Sequence, residues 1–446
     1  MIDRLTNEVT DLLQAMIRNE CVNDGTIDSG NESRNANLIR DELEDSGADL
    51  QLFEPVPNRA SVIARLPGTD PSAKKLCLMG HTDVVPVSPE GWRHNPFGGE
   101  LIDGEIWGRG AVDMLNLTAS MMVAFRHLAT SSKRYPGDII YFGVADEEAG
   151  GTHGAKVLIE QQWDHLACDY VLTEYGGTPV GSADNRSILV TTTEKGVAWR
   201  RIVVHGETGH GSMPFQADNA LVKASEVIRR LSAYRPAPQL DQMWRDRVTA
   251  LDLEPTLSSQ LLDPGYLRDA LLTLPKASAA NAHSCTHTTI SPNVVTGGTK
   301  TNTIPDRVVI DVDIRTLPGE TTSEVDQHLR QALGDLFDAV TVEVIQNEKS
   351  TSSGTANSLW RALGSAVRQS YPGAGIVPSM VTGGTDARFF RRKGTIAYGA
   401  GLLSERVTAE DFLQRFHGHN ERIDVDSLRL TTQLWLDVVD RLWEND

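Results

Sequence analysis

The stretch KLCLMGHTD at residues 75–83 joins a short apolar run to a histidine and an aspartate. An apolar run of this length is typical of a buried strand. In open α/β sheets, ligands bind just beyond the carboxyl ends of the strands. The stretch therefore predicts a strand that delivers His81 and Asp83 to a functional edge of a sheet.

Three further segments carry acidic residues in a similar relation to predicted elements. Because neighbouring parallel strands end at a common edge, we expect the side chains that follow them to converge on one site. The segments are Asp146-Glu147-Glu148 after the apolar run 139–145, Glu174 after 170–173, and Asp113 at the end of GRGAVD (108–113), which opens a predicted helix.

Helical and strand patterns alternate in the first part of the chain, which predicts an α/β fold whose central mixed sheet is flanked by helices. The predicted helices lie near 3–19, 34–46, 114–129 and 152–161, and the predicted strands at 60–66, 76–79, 138–144 and 170–172. A similar alternation of helical and strand patterns returns near 353, with predicted helices at 356–370 and 425–443 and a short predicted strand at 395–398.

The pattern changes after Asn185. Strands at 197–204, 307–314 and 340–345 and helices at 217–233 and 322–337 indicate a small sheet faced by two helices, whereas 236–300, rich in Pro, Ser, Thr and Ala, fits no pattern. We therefore predict a catalytic domain in two parts, 1–186 and 349–446, interrupted by an inserted α+β domain at 187–348.

Composition narrows the class of partner. The 446 residues carry a formal charge of −18, which repels phosphate backbones and anionic lipid headgroups. No apolar segment is long enough to span a membrane, and the first residues lack the features of a secretory signal. The four cysteines lie far apart and form no CxxC pair. We expect a cytoplasmic protein that binds neither nucleic acid nor membrane.

The predicted edge combines histidine with several carboxylates and no cysteine. This set of ligands suits pairs of zinc, cobalt or manganese ions that activate water. The doublet Glu147-Glu148 can serve two purposes, since adjacent side chains point apart and one can bind metal while the other faces the water. Asp83 can accept the second imidazole N–H of His81 and so orient the ring.

Six motifs in a fixed order give the chain a family resemblance. It resembles the zinc-dependent amidohydrolases and exopeptidases that include aminoacylase, glutamate carboxypeptidase G and succinyl-diaminopimelate desuccinylase. The motifs are GHTDVVP (80–86), WGRGAVDM (107–114), ADEEAGG (145–151), GHGSMP (209–214), TGGTDARFF (382–390) and HGHNE (417–421).

The resemblance implies a role for each residue of the predicted metal site. Two divalent ions are expected, with zinc the default of the family and cobalt or manganese also accepted by such ligands. It implies that His81 and Glu174 bind the first ion, that Asp113 bridges both ions, that Glu148 and His417 bind the second, that Glu147 is the general base and acid, and that Asp83 is the partner of His81.

The resemblance also implies that the inserted domain is a lid or dimerisation domain and that the protein is a homodimer. His210 would polarise the substrate carbonyl, often in the site of the neighbouring subunit. Asn302 and Arg315 would bind the substrate's oxygen and carboxylate, and Gly383, Gly384 and Arg388 would line the same pocket.

The sequence departs from the family pattern at two positions, of which the first leaves the metal site intact and the second leaves the substrate open. Leu115 stands where many relatives have lysine, and Glu174 stands where aminoacylases and carboxypeptidase G have aspartate. The preferred acyl group or side chain therefore stays undetermined. His419 is an alternative ligand to His417, although the HxxNE pattern favours the first histidine.

Other classes of protein fit the sequence less well. The GRG of 108–110 lacks the third glycine of a dinucleotide loop, no GxSxG nucleophile elbow is present, and Cys77 falls inside an apolar strand. We therefore predict a di-metal hydrolase that cleaves an amide or peptide bond next to a free carboxylate. The alternative is a non-catalytic peptide or amino-acid binding protein with the same fold, against which the intact Glu147 argues.

Overall fold

Ten strands form one mixed sheet in the computed structural model, which describes residues 1–444. In spatial order they are β1 (Asp49–Phe53), β2 (Ser61–Leu66), β6 (Ile139–Val144), β3 (Leu76–His81), β7 (Tyr170–Thr173), β19 (Ile396–Gly399), β9 (Ser187–Glu194) and β17 (Thr351–Ser352), with β8 (Pro179–Val180) and β18 (Gly375–Val381) paired to β9.

Helices cover both faces of this sheet, which confirms the predicted fold class. Alternate residues of β3 show why, because Leu76 and Leu78 pack into one apolar core and Cys77 and Met79 into another. The first core is formed with α1 (Ile2–Arg18), α2 (Ser33–Leu43), α3 (Leu115–Thr130), α12 (Ser358–Ser370) and α15 (Val425–Leu442), and the second with α4 (Val157–Gln161), α5 (Trp163–Leu166) and α13 (Ala387–Arg392).

A second sheet of five strands forms the inserted domain. Its central strand β15 (Arg307–Thr316) alternates strictly, and its buried side chains, such as Val308 and Ile310, pack against two helices. The other strands are β10 (Gly196–Val197), β11 (Arg200–His205), β13 (Thr289–Gly297) and β16 (Val340–Val344), and the helices are α6 (Ala220–Ala233) and α11 (Thr322–Leu333).

The stretch 236–300, which the sequence pattern leaves unassigned, contains four short helices. They are α7 (Gln242–Ala250), α8 (Pro255–Leu261), α9 (Leu267–Leu271) and α10 (Lys276–Thr286). Their apolar side chains, including Trp244 and Leu271, form a separate core together with Met380 of β18. These helices therefore pack against the large sheet.

Smaller pairings complete the fold. They are β4 (Glu100–Ile102), β5 (Glu105–Trp107) and β20 (Arg422–Asp424) in one small sheet, and β12 (Gly209–His210) with β14 (Thr303–Ile304) in another; α14 (Ala409–Arg415) precedes the HGHNE motif. Among the described residues, none of the helices has the length and apolar character needed to cross a bilayer. All four cysteines are free thiols.

The large sheet extends past the predicted boundary at residue 186. β9 begins at Ser187 and belongs to the large sheet, and Glu194 at its end pairs with Thr351 of β17. The chain thus leaves the large sheet and returns to it at neighbouring positions. On this ground we propose that the inserted domain runs from 195 to 350.

Candidate metal centre

Two groups of one histidine and two carboxylates meet beyond the ends of β3, β6 and β7 and share Asp113. His81 Nε2 lies 3.2 Å from Asp113 Oδ1 and 3.9 Å from Glu174 Oε2. His417 Nε2 lies 2.8 Å from Asp113 Oδ2 and 3.3 Å from Glu148 Oε2. Each oxygen of Asp113 thus faces a different histidine.

The local fold explains how five separate segments reach one place. His81 is the last residue of β3, and Glu174 follows β7 directly; both strands are parallel and adjacent. Glu148 lies in a single 3-10 turn after β6, and Asp113 precedes α3. His417, after α14, has a positive φ of 56°, which turns the chain sharply at the ligand.

The electrostatics of the cluster favour bound cations. Burial, with the charge of Glu174, raises the pKa of the Glu147 carboxyl well above its usual range, and burial with the charge of Asp113 raises the pKa of Glu148 to about 7. Glu148 Oε1 is buried and has no hydrogen-bond partner among the described residues. Crowded carboxylates and an unpartnered buried oxygen fit divalent ions, and histidine with carboxylate suits zinc, cobalt or manganese.

Asp83 occupies a different position from the predicted one. His81 Nδ1 lies 2.9 Å from the backbone carbonyl of Asp83, whereas the carboxylate is 3.5 Å away. That carboxylate instead accepts the backbone N–H of Glu147 at 3.3 Å and of Glu148 at 3.1 Å, and the side-chain amide of Asn23 at 2.8 Å. The predicted carboxylate–imidazole hydrogen bond is therefore replaced, and Asp83 fixes the turn that carries both glutamates.

Glu421 and Arg109 are positioning residues that sequence reasoning missed. Glu421 is fully buried and accepts hydrogen bonds from the backbone N–H of Val112 at 2.7 Å and of Asp113 at 3.0 Å. Arg109 Nη1 donates to Glu421 at 2.6 Å, and its Nη2 donates to the carbonyl of His417 at 3.3 Å. The final glutamate of HGHNE was the only signal available in the sequence. This ion pair thus fixes the backbone positions of Asp113 and His417 relative to each other.

A cavity of about 550 Å³ opens onto the cluster. Glu147 lines it beside the candidate ligands, and so do Gly383, Gly384 and Arg315, as predicted for substrate-binding residues. The guanidinium group of Arg315 donates two hydrogen bonds to the Asp313 carboxylate, from Nε to Oδ1 at 2.8 Å and from Nη2 to Oδ2 at 3.2 Å.

Three of the residues predicted to contact the substrate lie outside this cavity. Arg388 donates instead to the carbonyls of Thr385 at 2.6 Å and Gly150 at 2.8 Å, which ties the turn after Glu148 to α13. His210 and Asn302 lie together on the inserted domain, where β12 meets β14, and both are exposed. They do not line the cavity of their own chain.

Asp386 is a second buried feature that the motifs did not predict. Both of its carboxylate oxygens are buried without a hydrogen-bond partner among residues 1–444. Burial raises its pKa to about 7, against the opposing charge of Arg388. Its Oδ1 would lie 2.3 Å from a β-carbon built on Gly151, so a glycine is required at that position of the ADEEAGG turn.

Paired histidine–carboxylate groups at the edge of an α/β sheet, with a further glutamate beside them, are the arrangement of a metal-dependent hydrolase. The sequence model of Peptidase family M20/M25/M40 matches residues 77–441, and the chain belongs to this family. The resemblance inferred from the six motifs is thereby confirmed.

Individual relatives agree with this assignment. Aminoacylase-1 of Sus scrofa is 26% identical over 390 residues, covering 86% of this chain and 84% of the relative. A probable carboxypeptidase S-like 2 of Dictyostelium discoideum is 26% identical over 387 residues, covering 83% and 72%. The M20 family metallo-carboxypeptidase Sso-CP2 of Sulfolobus solfataricus shares the fold with a TM-score of 0.74 at 17% identity, covering 98% of this chain and 99% of that one.

Proposed function

We propose that this protein hydrolyses an amide or peptide bond next to a free carboxylate, in an N-acyl amino acid or a small peptide. The observation that carries the proposal is the sharing of Asp113 by two histidine–carboxylate groups, with Glu147 beside them in one cavity. Relatives named as an aminoacylase and as a probable carboxypeptidase support this substrate class.

In this proposal His81 and Glu174 hold one divalent ion, Glu148 and His417 hold the other, and Asp113 contacts both. Zinc is proposed, and the ligands would also accept cobalt or manganese. The two ions, when bound, would polarise the scissile carbonyl and lower the pKa of a bound water to roughly 7.

The chain's own residues perform the proton transfers. Glu147 accepts a proton from the attacking water and returns it to the leaving nitrogen, a role that its place in the cavity beside the candidate ligands supports. Asp83 keeps the backbone of Glu147 in place. Arg315 binds the substrate carboxylate through the guanidinium N–H groups that Asp313 does not engage.

We further propose a homodimer in which His210 and Asn302 act in the cavity of the second copy. Both residues are exposed and outside their own cavity, and the same loop exposes two large apolar side chains, Met213 at 70% and Phe215 at 87%. Exposed apolar groups of this kind mark interaction surfaces. The four free thiols suit a reducing compartment, so a cytoplasmic location is proposed as well.

Mixing two inactive variants tests the shared site. His210→Ala and Glu147→Gln are each expected to be nearly inactive, yet a refolded equimolar mixture should recover about a quarter of wild-type activity, because half of the dimers then carry one complete site. His205→Ala, an exposed histidine of the same domain, is the control and should stay fully active. If the mixture stays inactive, His210 does not serve the partner site.

Metal removal tests the function itself. The protein is treated with a chelator and then reloaded with zinc, and mass spectrometry follows a panel of N-acyl amino acids and dipeptides. We expect release of free amino acid by the zinc-loaded protein only, with activity returning on reloading. A protein that binds two ions and cleaves nothing on the panel would instead be the non-catalytic binding protein.

A further inference from the structure

One face of α10 forms part of the wall of the cavity, although the motifs assign no role to this segment. Ala277, Ala280, Asn281 and Ser284 line the cavity, and their spacing places them on a single helical stripe. The same cavity holds Asp113, Glu147 and His417. A helix of the insertion therefore lies against the substrate space of the catalytic domain.

Two charged side chains fix α10 at its ends. Glu410 of α14 accepts the backbone N–H of Ala277 at 3.1 Å and of Ser278 at 2.8 Å. Lys195, the residue directly after β9, donates to the carbonyls of Ser284 at 2.9 Å and His287 at 2.6 Å. An anion at the N-terminus and a cation at the C-terminus both oppose the helix dipole favourably. The wall is thus held in a set position relative to His417, which follows α14.

The cavity residues that neighbour α10 differ from one end of this helical stripe to the other. Ser284 lies on the turn nearest the C-terminus of α10, and the cavity lining there continues with Thr289 and Arg315. Ala277 and Ala280 lie at the N-terminal end of the stripe. The aromatic part of the cavity lining consists of Tyr175 and Phe416, whose ring centroids are 5.1 Å apart. These aromatic residues directly adjoin the ligands Glu174 and His417. From Ala277 to Ser284 the helix rises about 10 Å.

Apart from the candidate metal centre, Glu147 and the Asp313–Arg315 pair, the side chains that line the cavity are uncharged. Four lining carboxylates belong to the metal cluster or to Glu147, and Asp313 is paired with Arg315. The group hydrogen-bonded to Asn281 carries a positive charge, since Arg247 Nη2 donates to Asn281 Oδ1 at 2.7 Å. Arg247 forms no ion pair with any of residues 1–444. Glu410, the carboxylate that contacts the N-terminus of α10, is engaged by the backbone N–H groups of Ala277 and Ser278 and is not part of the cavity lining. An ammonium against the two alanines would therefore find no free carboxylate among the lining residues other than those of the metal cluster and Glu147, which is costly.

We infer that α10 forms the subsite for the group across the scissile bond from the carboxylate, that Ala277 and Ala280 set its depth, and that it selects an uncharged apolar group. The inference rests on the proposed function and specifies its substrate. The amino-acid carboxylate lies at the Arg315 end, the scissile carbonyl at the metal cluster, and the acyl group against the two alanines, Tyr175 and Phe416.

The test measures kcat/KM of the zinc-loaded enzyme on one amino acid carrying acetyl, butanoyl, hexanoyl or octanoyl groups, and on the matching glycyl dipeptide. Wild type should prefer the longer acyl groups to the dipeptide by about tenfold or more. In Ala280→Leu the ratio of octanoyl to acetyl kcat/KM should fall by about tenfold, because the added side chain shortens the subsite. Ala279→Leu, the same change on the same helix but outside the cavity lining, is the matched control and should keep the wild-type ratio.

The outcomes separate this inference from the proposed function. An Ala280→Leu ratio equal to that of wild type, or an equal fall in Ala279→Leu, overturns the role of α10 while hydrolysis itself stands. A wild-type preference for the glycyl dipeptide overturns the selection of an uncharged group. Wild type that binds two zinc ions and cleaves none of the compounds overturns the proposed function and this inference together.

Discussion

Glu147→Gln is expected to lower kcat by about 10²- to 10⁴-fold while the protein still binds two ions. The glutamine has the same shape but cannot take a proton from water. Glu147 lines the cavity beside the candidate ligands, and its place in the turn is fixed through its backbone N–H to Asp83. The fold should therefore tolerate the change. Steady-state kinetics and metal content by mass spectrometry measure the two quantities.

Glu160→Gln provides the control for this variant, because Glu160 is an exposed glutamate of α4 outside the cavity. Its kcat should match that of wild type. Unchanged kcat in Glu147→Gln would remove this residue from the proton transfers. Loss of bound metal in the same variant would make Glu147 a ligand instead of a base.

Glu421→Ala is expected to lower the free energy of unfolding of the metal-free protein by about 3–5 kcal/mol, since removing one partner leaves the Arg109 guanidinium buried and unpaired. Metal affinity should fall as well, by roughly 10- to 100-fold, because the backbone N–H groups of Val112 and Asp113 lose their acceptor. Urea denaturation and titration with zinc measure the two effects.

A surface ion pair supplies the comparison for Glu421→Ala. Glu405 contacts Arg186 with a side chain that is 62% exposed, so Glu405→Ala should cost only about 0–1 kcal/mol. Glu421→Gln keeps an oxygen for the backbone N–H groups and should retain more metal affinity than Glu421→Ala. Equal stabilities of Glu405→Ala and Glu421→Ala would show that the buried pair does not hold this part of the fold.

Much of the candidate centre could be predicted because its residues lie next to strongly patterned elements. β3 and β6 are wholly buried apolar strands, so their ends were visible in the sequence, and the polar residues after them had to share an edge. The glutamates of 147–148 and Glu174 followed from the same argument. His417 lies in a loop without such a pattern, and only the family motif pointed to it.

The missed elements have physical causes. β18 contains Pro378, which argues against a strand, but within residues 1–444 β18 pairs only with β9 and so lies at an edge where a missing N–H is tolerated. β9 is rich in threonine and lacks a clear apolar face in the sequence. The helices α7 to α10 are short, and their apolar residues become a core only when Met380 packs against them.

The hydrogen-bond partners of buried polar groups could not be predicted from the sequence either. Spacing placed Asp83 near His81, yet whether its carboxylate or its carbonyl faces the ring depends on the turn that starts at Asp146. In the same way, the burial of Asp386 against Gly151 depends on two distant segments meeting. Such contacts are set by tertiary structure and leave no periodic trace in the sequence.

The pairing of Glu194 with Thr351 brings the two ends of the insertion together and separates it from the part of the chain that carries the candidate ligands. Because the two ends of the insertion already meet as neighbouring strands, lengthening it costs little loop-closure entropy, about 0.6 kcal/mol for each doubling. All five candidate ligands and Glu147 lie outside 195–350, while α10, Arg315 and His210 lie inside. Substitutions and insertions within 195–350 can therefore change the choice of substrate while the hydrolytic chemistry stays unchanged.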